Sequence, residues 1–306
     1  MATGRSCASV ATSHSSTPRP NHSRVSNNED KTMATLRYVR DPGRTPEARP
    51  GLNCTVTSLR CVYATDPAIH AALLPAPLEP SAEPHIFIQH ANVAMHVSDT
   101  DTVEIGAATV GVKCRYRDTE GHYVLAMPMH GEFVVISGRE RFGEPKKIAE
   151  VADMERDGNA IRTRIARHGI TFLEMAGEVG AAEPTPEPFT EYFFCHKALP
   201  RIDGEPGFDG PVFLTRLNWE RNYESVYTVN NPEVILRDSP FDPLVDVPVE
   251  QVIRMQLAQG ATRTSGQILA EIPGENLVNF IHQRFDDTNV PALDIATATP
   301  GIAANG

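Results

Sequence analysis

The sequence predicts an α+β fold that is mostly β, with a few short helices in one main domain. Two observations carry this reading. Short runs rich in β-branched residues, several of them alternating apolar with polar, recur along the chain. The gaps between them hold Gly, Pro and Asp in turn-forming positions. No repeat of fixed period is present.

Residues 1–32 are rich in Ser, carry Arg5, Arg19 and Arg24, and have almost no large apolar side chains. They cannot bury enough surface to offset their ordering entropy, so a disordered extension is expected. A transit peptide is the functional alternative, against which stands the missing apolar face. Met33 is an alternative start. The main domain is expected over 33–290 and a flexible tail over 291–306.

Within the domain, Val56–Ala64 alternates as a strand. Asp66 is a good N-cap with Pro67 behind it, which predicts a short helix over Pro67–Leu74, stopped by Pro75 and Pro77. His85–Val97, Val103–Tyr116 and Tyr123–Met129 read as strands. Glu132–Ser137 reads as another, paired to Tyr123–Met129 through a tight turn at His130–Gly131. Further strands are expected at Ala160–Ala166, Ile170–Val179, Tyr192–His196, Val212–Trp219, Ser225–Val229, Val234–Leu236 and Gln251–Leu257. Ala181–Pro188 is the longest expected loop, and Gly274–Ile281 has helical spacing.

Composition excludes several functions. The 306 residues carry a net charge of -11, which disfavours nucleic acid as a partner. No apolar run approaches the ~18 residues of a membrane span. Five scattered cysteines without a C-x-x-C pair argue against a disulfide scaffold and a structural zinc site. They fit a reducing, cytoplasmic setting. His85, His90 and His96 fall on mixed strand faces, so no metal site is expected. Cys114 and Cys195 read as buried inert thiols.

The basic residues point to chemistry. Only five of the 28 are Lys, and two are adjacent, Lys146 and Lys147. They follow Pro145 and lie between the apolar runs Phe133–Ser137 and Ile148–Ala152. A buried amine beside another cation has two reasons to lose its proton, desolvation and repulsion. A neutral lysine amine attacks carbonyls, which Arg cannot do. The plainer reading of a Lys-Lys pair is a solvated turn.

The surrounding residues favour the chemical reading. Gly138-Arg139-Glu140, four residues, then Pro145-Lys146-Lys147 resembles the active-site segment of the acetoacetate decarboxylase family. Gly121-His122-Tyr123 upstream lies at the spacing found there. Tyr63-x-Thr65-Asp66, Leu74-Pro75-x-Pro77-Leu78-Glu79, Pro200-x-x-Asp203-Gly204 and Asp242-Pro243-Leu244-x-x-x-Pro248-Val249 are similar to other parts of the pattern. The resemblance covers about residues 35–287.

The resemblance implies a closed or cone-like β-sheet, no cofactor, a small keto acid substrate and a homo-oligomer. It implies Lys146 as the Schiff-base lysine and Lys147 as its cationic neighbour; lysine activation beside a second cation is documented for acetoacetate decarboxylase itself. A family glutamate that assists the reaction falls on Glu104 if about three extra residues are allowed. A second family carboxylate falls on Gln89, whose amide cannot ionise. A family arginine falls near Val56 and is missing; Arg60, on the same strand face, is the substitute. Arg139, together with Glu140, flanks the site, where Arg139 either binds a substrate carboxylate or shapes the turn. Glu271 reads as a solvated edge residue in preference to a buried proton carrier.

The expected function is a Schiff-base decarboxylase of acetoacetate or a longer 3-oxo acid, giving a ketone and CO2. The alternative is an imine-dependent aldolase, dehydratase or cyclase, motivated by Gln89. A non-catalytic binding protein on the same scaffold is the third reading.

Overall fold

In the computed structural model, the structure describes residues 35–45, 51–289 and 291–297. The expected extension 1–32 and residues 298–306 of the expected tail lie outside them. Residues 35–45 are exposed turns belonging to a separate unit, 1–48. The fold below is that of the second unit.

Its elements, in chain order, are β1 (Leu52–Ala64), α1 (Pro67–Ala72), β2 (Glu79–Pro80), β3 (His85–His96), β4 (Thr102–Tyr116), β5 (Thr119–Met129), α2 (Glu132–Phe142), β6 (Lys146–Ile148), β7 (Val151–Asp157), β8 (Ala160–Arg167), β9 (Ile170–Glu183), β10 (Phe189–Lys197), β11 (Val212–Leu236) and β12 (Gln251–Ile272). The mostly β expectation is met.

Strands β10-β5-β4-β3-β1-β12-β11 are hydrogen-bonded in that order, and β10 also pairs with β11. The two ends of the row therefore meet and the sheet closes into a ring. The pairing is antiparallel except where β10 meets β5, and β6 adds to β5 in parallel. The second half of β11 leaves the ring and carries β9, β8 and β7. β7 folds back against β3, β4 and β5.

Closure gives each strand an inner and an outer face, and the period of two distributes its residues between them. On β1, Cys54 and Val56 join an inner cluster with Phe87, Met127, Phe193, Cys195 and Leu217. Leu59, Cys61 and Tyr63 join a larger outer cluster with Ile165, Phe172, Leu173 and Met175 of the β7–β9 layer. Phe172, Leu173 and Met175 are fully buried, and each such burial contributes about 1.5–3 kcal/mol.

Asp66 caps α1 as expected, its Oδ1 accepting from the amides of Ala68 at 2.7 Å and Ile69 at 3.1 Å. Three expectations are corrected. Glu132–Phe142 is a helix, so His130–Gly131 joins a strand to a helix and there is no hairpin. Phe-Val-Val-Ile has β propensity, but the buried residues are Val134, Val135 and Gly138, a helical spacing, while Phe133 and Ile136 are exposed. The expected helix over Gly274–Ile281 is instead a series of short 3-10 turns. The runs at 212–219, 225–229 and 234–236 are one strand of 25 residues, its turn-like interruptions absorbed as register shifts.

Candidate active site

The helix α2 and the short strand β6 build the centre of the site. Gly143 ends the helix in the left-handed region, φ 75°, and its N–H returns to the carbonyls of Gly138 and Arg139. Glu144 follows, buried to 3% exposure, then Pro145 and Lys146. The register of β6 on β5 sets Lys146 beside Met127, which belongs to the inner cluster. Lys146 Nζ lies 2.7 Å from Glu144 Oε2, and its side chain is 15% exposed. Gly138 completes the seat: a Cβ there would stand 2.6 Å from Lys146 Nζ and collide with Glu144 Oε2. The glycine of the motif is space left for these two side chains.

Strand alternation sends Lys147 the other way. Its Nζ donates to Phe241 O at 2.7 Å and pairs with Asp242 at 3.1 Å and Asp286 at 2.8 Å. Arg167 bridges the same two carboxylates. Burial works against the ionised form of Asp286, but Arg167 and Lys147 outweigh it and hold its carboxyl well below the usual range. Lys147 is thus a member of a compensated ion cluster, and its charge is directed away from Lys146.

The structure does not bring Glu104 to Lys146. Glu104 is exposed, and its neighbours Ile105 and Ala107 are the residues of that stretch that pack on the inner cluster. The carboxylate that sits at the amine is instead that of Glu144. Arg139 is engaged with the backbone around the lysine. Its guanidinium lies over Phe285 and donates to the backbone carbonyls of Lys146 at 2.9 Å and Arg284 at 3.1 Å. Arg139 thus shapes the turn. Glu140 is exposed on the helix, and Glu271 is exposed on β12.

Gln89 does face the interior, in a polar cluster. Its Oε1 accepts from Arg221 at 3.0 Å. Arg221 also donates to Glu191 at 2.9 Å, and Arg60 donates to the other oxygen of Glu191 and to the Tyr223 hydroxyl. Arg60, the expected substitute on the face of Val56, is therefore inside the ring with a second arginine. Burial alone raises Glu191, but the charges of Arg60, Arg221 and His122 outweigh it and lower its pKa to about 2. Burial lowers His122 to about 4. Two guanidiniums share one carboxylate, so the cluster carries one positive charge in excess.

A cleft of about 480 Å³ opens beside this cluster, lined by Cys54, Phe189, Arg221 and Thr262 among others. Burial pushes the Cys54 thiol up to about 11, against the lowering charges of Lys146 and Arg221. The thiol therefore lies in the field of both cations. Cys114 is pushed up to about 12 by burial and Cys195 is raised as well, in keeping with inert thiols.

Glu144, Glu191 and Arg221 are the residues that sequence reasoning missed. Glu144 occupies the unspecified part of the motif. Glu191 carried a readable signal, since it shares a strand face with Phe193 and Cys195 by period-two counting. Arg221 needs the register of β10 on β11, which pairs Phe189 with Arg221, before it can be placed.

Comparison with known proteins places this geometry. The acetoacetate decarboxylase family model matches residues 32–271. The "CLA biosynthesis isomerase" of Lactiplantibacillus plantarum is 32% identical over 122 residues, covering 39% of this chain and 42% of that protein. "Acetoacetate decarboxylase 1" of Bradyrhizobium diazoefficiens is 34% identical over 87 residues, covering 28% and 33%. The matched stretches thus span less than half the length of these curated relatives. Acetoacetate decarboxylase from Legionella pneumophila superimposes with TM-score 0.60 at 19% identity over 73% of this chain and 88% of its own. The enduracididine biosynthesis enzyme MppR, complexed with the condensation product of pyruvate and imidazole 4-carboxaldehyde, gives TM-score 0.60 at 14% identity over 73% and 91%. At these identities the structural likeness is one of fold. Among the described residues no helix is long and apolar enough to cross a membrane.

Proposed function

The chain belongs to the acetoacetate decarboxylase family, and from that premise we propose that it forms an imine between Lys146 and the ketone of a small or medium β-keto acid and releases CO2. The observation that carries this reading is the seat of Lys146: an amine at the ring interior, 2.7 Å from a buried carboxylate, with the facing helix position emptied by Gly138. Glu144 takes the proton of the lysine ammonium. The amine adds to the ketone carbon, Glu144 returns the proton to the departing hydroxyl, water leaves, and a protonated imine results. The electrons of the bond to the carboxylate move into the imine nitrogen as CO2 departs, giving an enamine. A proton returns to carbon, and water hydrolyses the imine to the ketone and the free lysine. The imine nitrogen is the electron sink, so the scheme calls for no cofactor. Incubation with acetoacetate and longer 3-oxo acids, then borohydride and peptide mapping, should find a reduced adduct on Lys146. No adduct across the panel overturns the reading.

A second reading keeps the imine and changes the bond that is made or broken. The arginine cluster favours it. A substrate carboxylate held by Arg221 and Gln89 would be stabilised as an anion, whereas CO2 loss turns it into a neutral molecule, so the clamp opposes decarboxylation. Aldol or dehydration chemistry on a carboxylate-anchored keto acid fits that arrangement. MppR and the L. plantarum isomerase carry names outside decarboxylation, which supports the breadth of the family. Adduct at Lys146 without CO2 release favours this reading; adduct with stoichiometric CO2 favours the first.

A further inference from the structure

We propose that residues 284–286 form a positioning strap for Lys146, so that the chemistry depends on a segment beyond the stretch the family model matches. The proposal rests on the reading of Lys146 as the reacting amine.

Strand β6 needs such help. It is three residues long and hydrogen-bonded as a strand to β5 alone. The short segment 284–286 supplies the other side. The Arg284 guanidinium donates to His196 O at 3.0 Å and to Gly143 O, fixing the residue before Glu144. The Arg284 carbonyl accepts from Arg139 at 3.1 Å, and the same nitrogen of Arg139 donates to Lys146 O at 2.9 Å. Phe285 lies under the Arg139 guanidinium, 5.4 Å from ring centre to cation. Asp286, in the left-handed region at φ 55°, accepts from Lys147 at 2.8 Å and from Arg167 at 2.7 and 3.0 Å.

Three consecutive residues therefore hold the backbone before Lys146, the arginine that donates to its carbonyl, and the side chain after it. Their contacts are with the segment that carries Lys146, so the role assigned to them is to aim the amine. A displacement of about 1 Å at a reacting group costs on the order of 100-fold in rate, which sets the size of effect to expect.

The test uses the full chain with R284Q, R284K and D286N. The readouts are thermal midpoint, the kcat and KM of keto acid turnover, and the rate of borohydride-trapped adduct at Lys146. The strap predicts that R284Q and D286N remain folded at the assay temperature and lose tenfold or more in kcat and adduct rate, with KM within about threefold, and that R284K recovers part of the loss. Folded variants with wild-type kcat and adduct rate overturn it, as does a KM effect alone. If R284Q does not fold, D286N decides by the same criteria, since Asp242 still pairs with both Lys147 and Arg167. If the wild type traps no keto acid, the functional reading fails. The strap is then judged by trinitrobenzenesulfonate labelling of Lys146: a rate changed tenfold in D286N supports it, and an unchanged rate overturns it.

Discussion

Lys146 and Lys147 are neighbours of the same type, yet they occupy two opposed environments. Lys146 points into the ring and meets one buried carboxylate. Lys147 points out of it and is bound by two carboxylates that Arg167 also serves. The difference comes from the pleat of a three-residue strand. One face of β6 sets an amine beside a single buried carboxylate, and the other fixes an ammonium between two. Adjacent charge in sequence is thus poor evidence of electrostatic partnership on a strand, where a single step reverses the side.

The contrast breaks most severely if Lys146 is changed. Lys146→Arg keeps the charge and removes imine chemistry, so trapped adduct should vanish entirely while the protein stays folded by circular dichroism. Gly138→Ala should cost on the order of 100-fold in adduct rate, because its methyl occupies the space of Nζ and Glu144. Glu144→Gln should lower kcat by at least about 100-fold if Glu144 handles the proton, the lower range for general acid–base groups; equal rates would remove Glu144 from the mechanism. On the outer face, Lys147→Met should reduce stability by about 1–3 kcal/mol, measured by urea unfolding, while adduct still forms. Lys147→Arg should lose less.

Acid probes both faces at once, and gently. His90 lies on the outer face and His122 on the inner, and burial lowers each to about 4. Their unfolded values are about 6.5. The unfolded chain therefore binds more protons between those values, so the stability is fully present above about pH 6.5 and is lost as pH falls toward 4. The first pH unit below 7 should cost less than about 1 kcal/mol per histidine. His122→Gln should remove the inner share of that slope in a series of unfolding curves.

How far the sequence reaches can be judged on the same residues. Gly138, Pro145 and the two lysines were legible because local spacing carries them. The β-rich class was legible because alternation does. Glu104 was placed on the wrong face because its assignment needed a three-residue offset along β4, and an odd offset in a strand reverses the side. The helix at 132–142 was hidden by its β-branched core, although Glu132 at its start, Arg139 and Arg141 near its end and Gly143 after it are helix-end signals. The cluster of Arg60, Gln89, Glu191 and Arg221 assembles from four strands, and only their register unites it.

The closure of the ring carries one more consequence. β10 and β5 meet through just two register positions, Phe193 with His122 and Phe194 with Tyr123, whereas β10 and β11 pair along the whole of β10. That junction is the weakest line around the circumference. Amide protons there should exchange with solvent sooner than those of β1 and β12, where pairing is continuous over most of β1. A breathing motion that parts β5 from β10 would widen the interior beside Lys146 without disturbing β1, β11 or β12. The closed sheet would then act less as a rigid vessel than as a clasp with one loose joint.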